Sequence, residues 1–296
     1  MPTTPVDDLF AAIRSGDLDA TEAALARGAN PDGIRAYSTA VDRQVHEGTR
    51  SALMLAVELR HGALVRALLA AGANPDLEDD LTKRTPLVEA SSLGELAIVE
   101  ALLASGANVQ ARDALDNRNA LTAAITAGSL PIAKRLAEAG APPEPRALVE
   151  ATRLGRPDLA EIAIAAGLDP NATDAFGMAA TSGRVDMLHW LATRGVDVGA
   201  NGPGALRAAA NAGMPEAAKA LIALGVPVET RGSDGWTAMH SAAYNGDAET
   251  LRVLLDAGAD PRAADRSGKT PLDWAREVGK AENVALLEAV TQPSSK

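Results

Sequence analysis

Asp234-Gly235-Trp236-Thr237-Ala238-Met239-His240-Ser241-Ala242-Ala243, followed by Leu254-Leu255-Asp256-Ala257-Gly258-Ala259-Asp260, is the stretch that decides how this chain folds. Thr237 suits the position just before a helix, where a hydroxyl accepts from a free first-turn amide. Met239, Ala242 and Ala243 then fall on one helical face. Gly246 is expected to end that helix as a left-handed cap. Leu251, Leu254 and Leu255 form the apolar stripe of a second helix, which Gly258 closes. Asp260-Pro261 and Asp265-Arg266-Ser267-Gly268 read as an extended loop or hairpin leading to the next cap. The unit is therefore helix, tight turn, helix and protruding loop.

The pattern recurs along the chain. Large apolar anchors stand at Leu9, Leu53, Leu87, Leu121, Leu148, Phe176, Leu206, Met239 and Leu272. Each is followed three residues later by an alanine and seven later by a glycine, except that Arg60 takes the glycine's place in the second unit. A period of about 33 residues marks a stack of small supersecondary units, each touching mainly its neighbours. The cap position is filled by Asp7, Ser51, Thr85, Asn119, Asp174, Thr237 and Thr270, with Arg146 and Gly204 as exceptions. Pro86 and Pro271 follow two of these caps, at the first helical position that proline tolerates. The loops are uneven. The one between Gly28 and Leu53 is longer than the rest by about ten residues, and those after Gly140, Gly167 and Gly195 are shortened.

This unit resembles the ankyrin repeat. The resemblance rests on the Asp234 to Ala243 and Leu254 to Asp260 segments. Thr85-Pro86-Leu87 and Gly268-Lys269-Thr270-Pro271-Leu272 add the family's start signal. Leu68-Leu69-Ala70-Ala71-Gly72-Ala73-Asn74 and Leu102-Leu103-Ala104-Ser105-Gly106-Ala107-Asn108 add its end signal. It implies an all-α solenoid of about nine helix-turn-helix units with connecting fingers, forming one domain over 1–290 with a flexible tail at 291–296. Its loops become fingers beside a concave face, with an extended loop within 31–50 and shortened fingers between 140 and 206. The family's histidine, which makes structural hydrogen bonds between units, survives only as His240. Two readings stand open for the extended loop: a tolerated surface insertion, or an element that touches a partner.

Composition narrows the function. Apolar residues are 47% of the chain but aromatic ones only 2%, so the core must be built from alanine and aliphatic side chains. A net charge of −11 argues against a nucleic-acid partner, which needs a basic footprint. The absence of cysteine removes disulfides, thiolate metal sites and cysteine nucleophiles. No stretch approaches the roughly 18 apolar residues of a membrane span. The N-terminus lacks the basic start and apolar run of a signal peptide. A cytoplasmic monomer is expected.

Several residues invite chemistry. Gly268-Lys269-Thr270 looks like the end of a phosphate-binding loop, but that motif needs glycine where Ala263 stands. His46, His61, His189 and His240 show no metal-ligand spacing on one helix. Glu89 and Glu150 occupy matching first-helix positions two units apart, with Glu58 nearby in register, and such a carboxylate pair could do acid–base work if burial split the pKa values. No nucleophile or oxyanion device accompanies them. Trp190 is expected in the core, and Trp274 at the closed end of the stack. No enzyme activity, cofactor or metal is expected.

The resemblance implies a protein-binding module that uses its concave face and fingers. Family register singles out Arg14, Glu58, Arg153, Asn211, Trp236, Tyr244 and Asn245, with Tyr37 and His46 from the insertion. The alternative is a small-molecule or metal binder using acidic inner-helix positions in the middle repeats.

Overall fold

A computed structural model describes residues 4–41, 44–114 and 117–292. The chain divides into two compact units within one helix pair, α9 (Pro145–Leu154) and α10 (Pro157–Ala165). Residues 1–147 with 161–167 form the first unit; 148–160 with 168–296 form the second.

The first unit contains α1 (Pro5–Ser15), α2 (Leu18–Ala26), α3 (Ala52–Glu58), α4 (Gly62–Ala70), α5 (Pro86–Leu93), α6 (Leu96–Ala104), α7 (Ala120–Thr126) and α8 (Leu130–Glu138). The second contains α11 (Ala175–Thr181), α12 (Val185–Thr193), α13 (Val198–Asn211), α14 (Pro215–Ala223), α15 (Ala238–Tyr244), α16 (Ala248–Asp256), α17 (Pro271–Glu277) and α18 (Ala281–Thr291). In each unit, first helices pack on first helices, as α3 on α5 and α13 on α15. Second helices pack on second helices, as α4 on α6 and α14 on α16. The anchor residues and their alanines fill these layers. All are at most 5% exposed except Leu272 in α17, which is half-buried. Each buried leucine contributes about 1.5–3 kcal/mol, and the alanines let the helices approach.

Caps start the first helices much as the sequence suggests. Ser51, Thr85, Asn119 and Thr270 each accept from the third amide that follows. Two expectations need correction. In α1 the cap is Thr4; Asp7 sits one turn in and completes a reciprocal capping box, its carboxylate accepting from the Thr4 amide at 2.9 Å. Asp174 precedes α11 but makes no side-chain cap bond, and the preceding Thr173 Oγ1 accepts from the Ala175 amide. Gly204, one of the two exceptions among the cap positions, lies inside α13, which begins earlier, capped by Asp197, and runs through Pro203 and Gly204 in place of a finger.

At the turns between helices, Arg60 adopts the left-handed conformation, φ 59°, in the glycine's place. Gly246 does not, although its spacing predicts a left-handed cap. Its role is close approach: a Cβ at 246 would lie 2.3 Å from the Ala210 carbonyl oxygen.

The lengthened loop is folded. It forms an antiparallel hairpin of β1 (Ile34–Val41) and β2 (Gln44–Ser51), with Ile34 opposite Ser51 and Val41 opposite Gln44. The helical stack thus carries a two-stranded sheet. The β-formers Ile34, Tyr37, Thr39, Val41, Val45 and Thr49 support these strands. Successive fingers are stitched by one repeated bond, a side chain accepting from the next finger's backbone. Asp32 takes the Asn74 amide and Asp76 the Asn108 amide, both at 2.7 Å. In the second unit, Glu229 takes the Asp260 amide at 2.8 Å. The shortened connections are short indeed: only 196–197 separate Gly195 from α13. At the C-terminus α18 runs to Thr291, and residues 293–296 of the expected tail lie outside the described residues.

Candidate functional site

In the second unit, the finger before α15 turns at Gly235, φ 87°, and the Gly232 amide returns to the Trp236 carbonyl at 2.8 Å. That turn sets Trp236 immediately before Thr237, the residue that caps α15. His240 and Tyr244, four residues apart, lie on one face of α15, and the Trp236 ring, placed just before the cap, contacts both. Trp274 reaches the same face from α17. Its ring centroid lies 5.0 Å from Trp236 and 5.7 Å from Tyr244, and Trp236 lies 5.5 Å from Tyr244. Both Tyr244 contacts are edge-on, the geometry that aromatic quadrupoles favour. Lys269 Nζ sits 4.1 Å from the Trp274 centroid and pairs with Glu277. Trp274 Nε1 donates to Asp265 at 2.9 Å. Burial pushes the Asp265 carboxyl up, but donors from Ser267, Trp274 and the Lys269 amide outweigh it and hold the group well below the usual carboxylate range. Trp236 and Trp274 are half-buried and Tyr244 is 37% exposed, so the rings form a ledge that is packed beneath and open above.

His240 lies under this ledge and is fully buried. Its Nδ1 accepts from the Thr237 amide at 3.2 Å, which leaves the proton on Nε2, facing the Lys269 carbonyl at 3.3 Å. Burial lowers its pKa, so the ring is neutral. This is the structural link between repeats that the resemblance implied. In α7 the equivalent position is Thr122, and Glu144 makes the link by accepting from its hydroxyl at 2.6 Å.

The first unit gathers a polar face. Tyr37 donates to Asp79 at 2.9 Å, and the Arg50 guanidinium lies 3.6 Å from its ring centroid. Burial first, then the bond and charge of Asp79, push the Tyr37 phenol up to about 12. Arg50 pairs with Glu58, Arg84 with Glu89 at 2.6 Å, and Arg118 with Asp113 at 3.1 Å. Burial raises the Glu58 pKa against the pull of Arg50. Arg14 is exposed on α1 and lines a cavity of about 130 Å³ with Phe10, Arg35, Tyr37 and Arg50.

The structure therefore brings Trp236 and Tyr244 together, with exposed Asn245 following them as the α15 cap. It also brings Tyr37, Glu58 and Arg14 into one neighbourhood. Arg153 is exposed and paired with Glu150 at 2.8 Å. Asn211 is exposed at the end of α13. No hydrogen bond or ring contact joins Arg153 or Asn211 to the aromatic ledge among the described residues. His46 pairs with Thr39 across the hairpin; its side chain lies outside the described residues. One tryptophan departs from expectation. Trp190 is half-buried beneath the Arg194 guanidinium, 5.2 Å from its ring centroid, and not in the core. Trp274, in the last first helix as expected, also completes the ledge. Sequence reasoning missed that role because the contact joins separate repeats.

The tempting chemistry recedes. Glu58, Glu89 and Glu150 are each held by an arginine. Among the described residues no three histidine or carboxylate side chains converge as metal ligands. At the loop resembling a phosphate cradle, Asp265 takes the Ser267 and Lys269 amides and Lys269 pairs with Glu277. No helix among the described residues is long and apolar enough to cross a membrane.

The sequence matches the family model for ankyrin repeats, three copies, over residues 9–113, 53–147, 176–265 and 206–292. It is also similar to the crystal structure of the human ASB11 ankyrin repeat domain. Identity is 24% and the TM-score 0.48, over 83% of this chain and 100% of that chain. No curated protein matches.

Proposed function

The chain belongs to the ankyrin-repeat family, whose domains are generally protein–protein interaction modules, and from that premise we propose that it is a non-catalytic module binding a partner through its first helices and fingers. The observation that carries this reading is the aromatic ledge. The chain has only three tryptophans and two tyrosines, yet Trp236, Tyr244 and Trp274 sit together and partly exposed. Rigid, half-buried aromatic clusters of this kind concentrate binding energy, because little motion is lost when a partner covers them. Asn245 and the neighbouring finger supply polar rim. In the first unit, the hairpin adds Tyr37 to the surface offered by Arg14 and Glu58. The family fold is typically a binding scaffold, and the carboxylates best placed for chemistry are engaged by arginines.

The test is co-purification from the native host with mass spectrometry, repeated with Trp236→Ala and Tyr244→Ala. A stoichiometric protein that both substitutions release supports the reading. Retention of that protein by both variants refutes the ledge as its site.

A further inference from the structure

Beside Tyr37 lies a second cavity, of about 140 Å³, walled by Tyr37, Met54, Glu58, Asp79, Arg84 and Glu89. Asp79 is 3% exposed and stands out for how its two oxygens are used. Oδ1 accepts four donors: the Tyr37 hydroxyl at 2.9 Å, the Leu81 amide at 3.1 Å, the Thr82 amide at 2.9 Å and the Thr82 hydroxyl at 3.0 Å. Oδ2 is buried and accepts none. All four donors are neutral, and among the described residues no cation pairs with this carboxylate. Its neighbours are provided for: Arg50 pairs with Glu58 and Arg84 with Glu89. A buried carboxylate oxygen without a donor is costly unless a ligand supplies one. Local charge agrees, since Asp79 helps to push the Tyr37 phenol up.

We propose that this cavity receives a lysine ammonium from the bound protein, which gives Asp79 Oδ2 its missing charged donor. Lysine fits better than arginine for a geometric reason. A guanidinium fork pairs with both carboxylate oxygens at once, and Oδ1 is already saturated. An ammonium is a point donor that needs one. The Met54 side chain and the Tyr37 ring offer apolar wall for its methylene stem. A metal ion is disfavoured because Glu58 and Glu89 are held by guanidiniums. The inference rests on the protein-binding reading only for the source of the lysine.

The test uses the full chain and three capped amino acids: N-acetyl-lysine methylamide, its arginine counterpart and its norleucine counterpart. Backbone amide NMR follows Leu81 and Thr82. The lysine probe is expected to give saturable shifts, the arginine probe at least roughly tenfold weaker binding, and norleucine none. Asp79→Asn should abolish the response. It keeps an acceptor oxygen for Tyr37, Leu81 and Thr82, and its own amide spectrum reports whether the finger persists. Absent shifts, equal shifts with norleucine, or a response that survives in folded Asp79→Asn would overturn the proposal. A co-purifying protein that binds Asp79→Asn as tightly as the unsubstituted chain would refute the pocket while leaving the binding module intact. Lysine-probe shifts without any co-purifying protein would support the pocket and count against that broader reading.

Discussion

Replacing Gly246 with alanine tests the packing that holds the aromatic ledge. The new Cβ would lie 2.3 Å from the Ala210 oxygen, 2.8 Å from Ala242 Cα and 2.9 Å from the Ala242 oxygen. An ordinary carbon–oxygen contact needs roughly 3.3 Å, so α13 and α15 must separate by about 1 Å. All three obstructing atoms are backbone, and no rotamer change relieves them. Asn283 and Lys280 resist the movement, since their side chains donate to the Gly246 carbonyl at 3.5 and 3.3 Å. Overpacking of this kind costs ~1–3 kcal/mol, and a backbone clash belongs at the upper end. Gly204→Ala is the control. That glycine lies within α13, is exposed, and has open space within 4 Å of where the new methyl group would stand. There alanine should stabilise by ~0.5–1 kcal/mol through the lower freedom of the unfolded chain. The same substitution thus carries opposite signs at two sites. Urea unfolding followed by tryptophan fluorescence reads both, because Trp190, Trp236 and Trp274 all belong to the second unit. A Gly246→Ala midpoint at or above that of the unsubstituted chain, with unchanged slope, would refute the reasoning.

Two further outcomes follow from titrating groups. In a Tyr244→Phe background the remaining phenol, Tyr37, should ionise at about 12, and Asp79→Asn should bring it back towards the ordinary value near ~10. Because the folded-state value is raised, the stability that Tyr37 contributes is present below about pH 10 and lost as pH rises towards the folded value; phenolate absorbance measures the shift directly. His240 has the opposite sense: burial lowers its pKa, so its contribution is present above about pH 6.5 and lost as pH falls. The unfolding midpoint of the second unit should therefore drop on mild acidification, with part of that drop missing in His240→Gln; identical profiles for the two proteins would show that His240 is not held neutral.

Much of the fold is legible because it is written locally. Thr85, Asn119 and Thr270 cap helices through bonds that span three residues. Leu87 with Ala90, or Leu121 with Ala124, mark buried faces by helical spacing alone. What escapes is what depends on a neighbouring repeat. Gly246 has the spacing of a left-handed cap, but its purpose is room for the Ala210 carbonyl on the preceding first helix. The hairpin from Ile34 to Ser51 competes with a plain loop until Tyr37 finds Asp79, forty-two residues away. Gly204 sits at a cap position only if a finger precedes it; with the finger shortened, α13 simply starts earlier. The candidate site divides in the same way. Trp236 just before the α15 cap and Tyr244 at the end of that helix can be placed by counting, whereas Trp274 joins them only across two repeats.

The most direct measurement of the central claim is the affinity of the co-purifying protein for the unsubstituted chain and for Tyr244→Ala, compared by calorimetry. Tyr244 is 37% exposed and its removal leaves Trp236 and Trp274 in contact, so the fold and helical signal should persist. The account predicts a loss of more than ~1 kcal/mol, several-fold in affinity, as expected of a binding hot spot. Equal affinities for the two proteins would contradict it.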